Sequence, residues 1–241
     1  MAKNTGLIKF TGKLGGLSGR DTPFGNIIQT PGGFKGDRIK TEARYEKTRQ
    51  LYTEFGRCAT LSSLFKRNLD FYLRLLPDPY VYNHIQKWLT AVKECDVASP
   101  KGEKTVGKGL LTEEGKALFT QFSFNRVRRF GFGGTTGYGV GLANGTLTFA
   151  SFDTSRLTFP AGANSLGMQL ILMRVDFENA ECVMTTSEMV VLEKGDIFSG
   201  DLTGAIPKGD GVLVGILFLG FRRGEELWNR STHNVLEIIA C

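Results

Sequence analysis

The two histidines, His84 and His233, are the side chains best suited to acid-base or metal chemistry in this sequence. They lie far apart along the chain, and neither has a carboxylate or a cysteine at the spacing of a metal-binding motif. Glu113 and Glu114 are adjacent, so on a helix they point in different directions and cannot face each other as acid and base. The sequence therefore predicts a protein that is not an enzyme, with no catalytic residues, metal site or cofactor, and it identifies no small-molecule substrate.

Arginines near residue 126 form a pattern typical of nucleic-acid contact. The candidates are Arg126, Arg128, Arg129 and the neighbouring Phe130. Guanidinium groups neutralise phosphates and aromatic rings stack on bases, but a solvated strand face that runs into a loop has the same pattern. The glycine-rich segment 131–139 follows. It lacks the Gly-Lys-Ser/Thr ending of a phosphate-binding loop, so we interpret it as a loop between strands.

Cysteine usage and hydropathy bear on the compartment. The four cysteines are scattered and form no Cys-x-x-Cys pair, which favours buried free thiols in a reducing environment. The N-terminal residues contain no apolar run typical of a signal peptide, and no apolar stretch is long enough to span a bilayer. We therefore expect a soluble protein of cytoplasmic origin, free or within a particle or filament, with no membrane span.

Charge is distributed unevenly along the chain. Residues 1–120 contain 20 Lys and Arg against 12 Asp and Glu, whereas residues 121–241 contain 10 against 12. A basic half and a mildly acidic half fit contact with nucleic acid or a membrane surface, and they equally fit head-to-tail packing of identical subunits.

An extended, glycine-rich, basic arm is predicted for residues 1–40. Residues 7–11 and 26–29 read as two short strands that could pair with each other. A ribbon this small is not stable alone in water, so it must lie on its own globule or on a neighbouring subunit. The apolar residues that would make this contact are Ile8, Phe10, Ile27 and Ile28.

A helical hairpin lobe is predicted for residues 41–109. Apolar residues at steps of four and three predict a helix over 41–76, beginning at Thr41 as N-cap, and a second over 80–95. The short turn between them predicts an antiparallel pair, and Gly56 is a candidate position for a kink. Because the second helix is shorter, it leaves the N-terminal part of the first uncovered. The residues expected to meet the β half or another subunit there are Arg49, Leu51, Glu54 and Phe55.

The last segment, 110–241, has the pattern of a β domain. After a polar linker at 97–109 and a short helix near Thr112, the apolar period changes to two. Six short strands without helices between them predict an antiparallel β-sandwich of Greek-key type, and hence an α+β chain. The predicted strands are 121–125, 146–152, 166–177, 182–192, 212–221 and 226–239, of which 212–219 is expected to be central and covered on both faces.

The order of these features resembles an uncharacterised Bacteroidota protein family of similar length. The resemblance consists of an N-terminal Gly-x-Ile-Lys strand, the pair Gly32-Gly33, Thr48-Arg49, Glu54-Phe55-Gly56 and a β-rich C-terminal half. It is clearest over roughly the first hundred residues. The resemblance implies a shared architecture and carries no assigned activity.

Two hypotheses for function follow. The first is a non-enzymatic structural protein that self-assembles into a homo-oligomeric filament, tube or shell through its arm and first helix. The second is a nucleic-acid-binding protein that uses the basic N-terminal half with Arg126, Arg128 and Arg129. A small-ligand site among the strand-end loops is a third reading, which no residue pattern singles out.

Overall fold

A computed structural model describes residues 2–6, 8–30, 36–120, 122–126 and 137–241. It is 31% helical and 35% strand, with antiparallel sheets and a curled half-barrel, which confirms the prediction of mixed helix and sheet. The chain divides into two compact units, Met1–Arg49 and Gln50–Cys241. We call these the N-terminal and C-terminal units. The division into segments 1–40, 41–109 and 110–241 stays a prediction.

A four-stranded antiparallel sheet, the N-terminal sheet, makes up most of the first unit. Its strands are β1 (Ala2–Lys3), β2 (Gly12–Leu14), β3 (Leu17–Thr22) and β4 (Gly25–Gln29), in the order β1-β4-β3-β2. The short helix α1 (Gly36–Thr41) follows. The predicted pairing of 7–11 with 26–29 is wrong, because β1 is the strand that pairs with Ile27 and Ile28. Residues 8–11 are not a strand, and the Asn26 side chain donates to the Phe10 carbonyl across 3.0 Å.

Within the described residues, five more α-helices follow α1. They are α2 (Glu46–Asn68), α3 (Asp70–Arg74), α4 (Val81–Glu94), α5 (Val106–Gly109) and α6 (Glu113–Thr120). The predicted start at Thr41 is wrong, because the Thr41 hydroxyl donates to the Asp37 carbonyl one turn earlier and α1 ends there. Helix α2 continues through Gly56, and the interruption comes at Leu69 instead.

Helices α2 and α4 pack antiparallel, as the spacing predicts. The Ser62 hydroxyl donates to Gln86 across 2.9 Å, and Glu54 meets Lys93 further along the same pair. The apolar face predicted for the first helix is buried from Cys58 onward, whereas Leu51 and Phe55 on the same face remain exposed. The uncovered N-terminal part of the first helix therefore agrees with the prediction.

The centre of the C-terminal unit is an antiparallel sheet of six strands. Its two long strands, β7 (Ser165–Asp176) and β11 (Val212–Arg223), pair with Ile216 opposite Ile171. Alternate residues face opposite sides, so Ile216 joins the helices in one apolar core and Leu217 joins a second core on the other face. The prediction that β11 is central and covered by apolar side chains on both faces is thus confirmed.

The remaining strands differ from the prediction in their boundaries. Strands β8 (Glu181–Thr186) and β9 (Val190–Glu193) replace the single strand 182–192, and β12 (Glu226–Leu227) and β13 (Val235–Ala240) replace 226–239. All four lie in the six-stranded sheet. Ser187 separates β8 from β9, which both pair with β7. Its hydroxyl accepts a hydrogen bond from Leu170 N of β7 at the point where the two strands are divided.

A second sheet of three strands packs against the central one. It contains β5 (Tyr138–Gly141), β6 (Thr146–Asp153) and β10 (Ile197–Thr203), of which only β6 was predicted. Phe149 and Leu202 from this sheet share the second core with Leu217. Segment 122–126 forms only an isolated bridge to β13, so the strand predicted over 121–125 is wrong over its described residues.

Buried amides fasten the helical turn after α3 to the strands. Asn234 is fully buried, and its side chain donates to the Leu75 carbonyl across 3.0 Å and to the Trp228 carbonyl across 2.9 Å. The backbone carbonyl of Asn234 accepts a hydrogen bond from the Asn125 side chain at 2.6 Å. These bonds satisfy backbone groups that would otherwise be buried without partners, and they fix segment 122–126 beside α4.

Candidate functional site

Apolar side chains on the N-terminal sheet are largely solvent-exposed. Ile8 is 82% exposed, while Phe10, Ile27 and Ile28 are half-buried. Phe10 lies against Gly19, where an added Cβ would come within 2.8 Å of the ring. The sheet also presents Leu14, Leu17 and Phe24 to solvent. Over the described residues between 2 and 49, no apolar side chain is buried.

A second exposed apolar surface lies on α2 in the C-terminal unit. It consists of Leu51, Tyr52 and Phe55, which are 46%, 58% and 56% exposed, and we call it the helix patch. A hollow of about 350 Å³ lies there, with Cys58 and Thr90 also in its wall. Two of the predicted interface residues, Leu51 and Phe55, therefore share one accessible surface.

Glu54 has a different environment from its predicted interface neighbours. Its side chain is only 2% exposed and accepts from Lys93 Nζ at 2.5 Å and from Gly102 N at 2.6 Å. Burial raises the pKa of this carboxyl, but the hydrogen bonds and the Lys93 charge outweigh burial and hold the pKa below its usual value. Glu54 is thus an internal anchor, which corrects its assignment to an assembly surface.

Arg49 also has an internal role. Its guanidinium donates to the carbonyls of Ile39 and Glu42, at 2.8 and 2.9 Å, and so holds the end of α1 against the start of α2. The group is half-buried within the N-terminal unit. Its hydrogen bonds support local structure, and its contact with the β half or with another subunit stays a prediction.

Arg126 belongs to a chain of three polar side chains. Its Nη1 lies 3.1 Å from Nε2 of His84, and Nδ1 of His84 lies 2.6 Å from Oδ2 of Asp78. Arginine can only donate, so Nε2 of His84 accepts and its proton sits on Nδ1, where it is donated to Asp78. The carboxylate and the imidazole together fix the guanidinium, which is itself exposed.

A cavity of about 620 Å³ opens beside this guanidinium, between α4 and segment 122–126. We call it the arginine cavity. Asn83, His84, Lys87 and Trp88 line it from α4, and Phe122 and Arg126 line the other side. Trp88 and Phe122 stack with centroids 4.2 Å apart and planes inclined by 14°. A rigid aromatic wall therefore adjoins a cationic one.

The other residues predicted for nucleic-acid contact, Arg128, Arg129 and Phe130, lie outside the described residues. Searches against family models, curated proteins and solved structures found no match. The Bacteroidota resemblance therefore stays a prediction. No helix in the described ranges is long and apolar enough to cross a membrane, and the same ranges hold no cluster of three or more metal-ligating side chains.

Sequence reasoning missed Asp78, His84 and Lys87 as a group. His84 and Lys87 are three residues apart and share a helix face, which is a usable signal. Asp78 lies in the Pro77-Asp78-Pro79 turn, six residues before His84, where no motif spacing points to it. His233, predicted on a strand, lies in the turn before β13.

Proposed function

We propose that this protein is a non-enzymatic structural protein that self-associates into a homo-oligomeric filament, tube or shell. The N-terminal sheet carries the proposal. Its unit has no buried apolar side chain among the described residues, yet Leu14 and Leu17 on the sheet, Phe24 in its turn and Ile8 before β2 are exposed. A sheet is stable when one face is covered by apolar contacts, and small sheets without that cover are marginal in water.

The size of the effect favours association. Covering a large apolar side chain completely stabilises by about 1.5–3 kcal/mol. Four such side chains in one small unit therefore offer several kcal/mol to a surface that covers them. A second copy supplies that surface under the proposal, and the folding of the arm is then coupled to assembly.

The helix patch and the charge distribution support contact between copies. Leu51, Tyr52 and Phe55 form a compact apolar surface of the kind found at the centre of protein interfaces. The basic N-terminal half and the mildly acidic C-terminal half would attract each other when copies pack head to tail. The four cysteines are free thiols, which supports a reducing compartment such as the cytoplasm.

The narrower fold prediction belongs to the same proposal. Leu147, Phe149 and Leu202 of the three-stranded sheet share an apolar core with Leu217 and Leu219 of the six-stranded sheet. Two sheets that meet through one core support the sandwich arrangement. We propose the Greek-key connection between them on the sequence pattern alone.

Light scattering of the purified full-length protein over a wide concentration range tests the proposal. We expect a mass that is a multiple of 26.5 kDa. Ile8→Asp and Phe24→Asp in the N-terminal unit, and Phe55→Asp on the helix patch, should shift the mass toward the monomer. Thr11→Asp is the matched control, since it adds the same charge at an exposed polar position.

Of two contrary results, the first would overturn self-assembly itself and the second would overturn only the proposed interface. One is a wild-type monomer at every concentration, with electron micrographs that show no particles. The other is an oligomer whose mass is unchanged by all three substitutions, which would place the interface elsewhere. A thermal unfolding curve for each variant separates a lost interface from a lost fold.

A further inference from the structure

The arginine cavity contains two cations that have no acidic partner. Lys87 and Arg126 both line it, and neither forms a salt bridge with any residue the structure describes. All 24 acidic residues of the chain lie within the described ranges, so this statement covers every carboxylate side chain. No Asp or Glu is among the described residues of the lining. The cavity therefore has a positive potential that favours an anion.

Arg126 is held in advance of any ligand. His84 and Asp78 use one of its five N–H donors and leave the others available. Because the guanidinium is already oriented, less side-chain entropy is lost when an anion binds. His84 is buried to three-quarters of its side chain and Asp78 more deeply, which keeps this support rigid.

Donors approach the cavity from two sides. Lys87 and Asn83 extend from α4, whereas Arg126 extends from segment 122–126. A tetrahedral phosphate accepts hydrogen bonds from several directions at once. A carboxylate is planar and is best bound by two parallel N–H donors of one guanidinium. The two-sided arrangement therefore suits a phosphate better.

The aromatic wall indicates what the phosphate is attached to. Trp88 and Phe122 form a stacked pair in the lining, and Phe122 is only half-buried. An apolar wall next to cations suits a ligand that joins a phosphate to a planar ring. We propose that the arginine cavity binds a nucleotide, with its phosphate on Arg126 and Lys87 and its base against the aromatic wall.

The nucleotide can be free or can be one unit of a single-stranded nucleic acid. Calorimetric titration of the full-length protein with adenosine monophosphate and with inorganic phosphate tests the first source. Fluorescence anisotropy of a labelled oligothymidylate tests the second. We expect adenosine monophosphate or the oligonucleotide to bind at least about fivefold more tightly than inorganic phosphate, because its base stacks on an aromatic side chain.

Substitutions separate the cavity from general electrostatics. Arg126→Gln and Lys87→Gln should each weaken binding about tenfold, as expected for a lost hydrogen bond to a charged group. Lys101→Gln is the matched control, because Lys101 is exposed and is not in the cavity lining. His84 is a positioning residue, so His84→Leu should weaken binding and His84→Gln, which retains an acceptor for Arg126, should restore part of it.

Each outcome is decisive once circular dichroism shows that the variants fold. Tight binding of both probes, lost in Arg126→Gln and kept in Lys101→Gln, supports a pocket that accepts the free nucleotide. Binding of the oligonucleotide alone, with the same pattern among the variants, assigns the site to a strand. Binding that Lys101→Gln weakens as much as Arg126→Gln does, or no binding of either probe, overturns the proposal.

Discussion

Lys93 Nζ lies 2.5 Å from Glu54 Oε2, with both side chains at least 96% buried. Glu54 also accepts from Gly102 N, and Lys93 makes a second ion pair with Glu94 at 2.7 Å. The pair therefore fastens α2, α4 and the loop after α4 at one point. Removing one partner from such a pair leaves a buried charge without compensation, which is far more costly than removing both.

Lys93→Met should lower the free energy of unfolding by about 3–5 kcal/mol, because Glu54 is left charged and buried. The double variant Glu54→Gln/Lys93→Met should recover most of this loss, since Gln retains an acceptor for Gly102 N. Urea unfolding followed by circular dichroism measures both. Lys101→Met, at an exposed position, is the control and should change stability little. A double variant no more stable than Lys93→Met would contradict this account of the pair.

Stability should fall in acid because of Glu54 and Asp96. Burial raises the pKa of Asp96, but backbone hydrogen bonds from Thr105, Ser99 and Ala98 outweigh it and lower the pKa below 3.8. The Glu54 pKa likewise lies below 4.5. A lowered pKa stabilises the fold above the unfolded value, and this stabilisation is lost as the pH falls through the folded value. Urea unfolding should therefore show a constant contribution from both groups above about pH 5 and a decline below about pH 4.5.

Asp96→Asn tests the assignment of part of that decline. The variant should be less stable than the wild type at neutral pH, and its stability should fall less steeply in acid. An acid decline with the same slope in the wild type and in this variant would show that Asp96 does not contribute to it.

Gly56 and Gly109 should respond oppositely to alanine. Gly56 lies inside α2 with no atom within 4 Å of an added Cβ, so Gly56→Ala should stabilise by about 0.5–1 kcal/mol. At Gly109 an added Cβ would lie 2.1 Å from the Val92 carbonyl oxygen, where α5 approaches α4. Gly109→Ala should therefore destabilise by about 1–3 kcal/mol. Denaturant midpoints of the two variants, measured side by side, must move in opposite directions.

Cys182 should react slowly as long as the protein is folded. Burial raises the pKa of its thiol from 9.0 to about 11, although Arg67 acts in the opposite direction. The thiolate is the nucleophile, so alkylation by iodoacetamide should stay slow at neutral pH and rise only near pH 11. In urea the rise should come near pH 9.0, the ordinary value. Mass spectrometry of the Cys182 peptide measures the rate, and an equal rate in both states would contradict the prediction.

Periodic, well-covered segments were predictable from the sequence. The spacing of apolar residues predicts three of these features: the buried face of α2 from Cys58 onward, the packing of α2 against α4, and the central strand β11. Each of them buries a continuous apolar face. Thr41 was misread because its hydroxyl donates to the Asp37 carbonyl within α1, a contact that the spacing of apolar residues does not indicate. The strand 182–192 could not be divided from sequence, since Ser187 breaks it through a bond to Leu170 on another strand.

The candidate sites likewise divide into features visible in residue spacing and features that depend on contacts between distant residues. Phe55 was identified because an uncovered apolar position is visible in the lengths of two helices. Glu54 was assigned to the same surface because nothing in the sequence indicates Lys93, 39 residues later, as its partner. The contact between His84 and Arg126 depends on how segment 122–126 lies beside α4, and the hydrogen bond from Asn125 to Asn234 helps to fix that position.

The shared core of helices and strands has a consequence during synthesis. Phe65 and Trp88 pack in the same core as Phe218 and Leu236, and the Leu75 carbonyl receives its hydrogen bond from Asn234, 159 residues later. The hairpin therefore leaves the ribosome long before the strands that cover it. Its apolar face stays uncovered until those strands have been translated, and chaperones that shield such surfaces would bind the nascent chain in that interval.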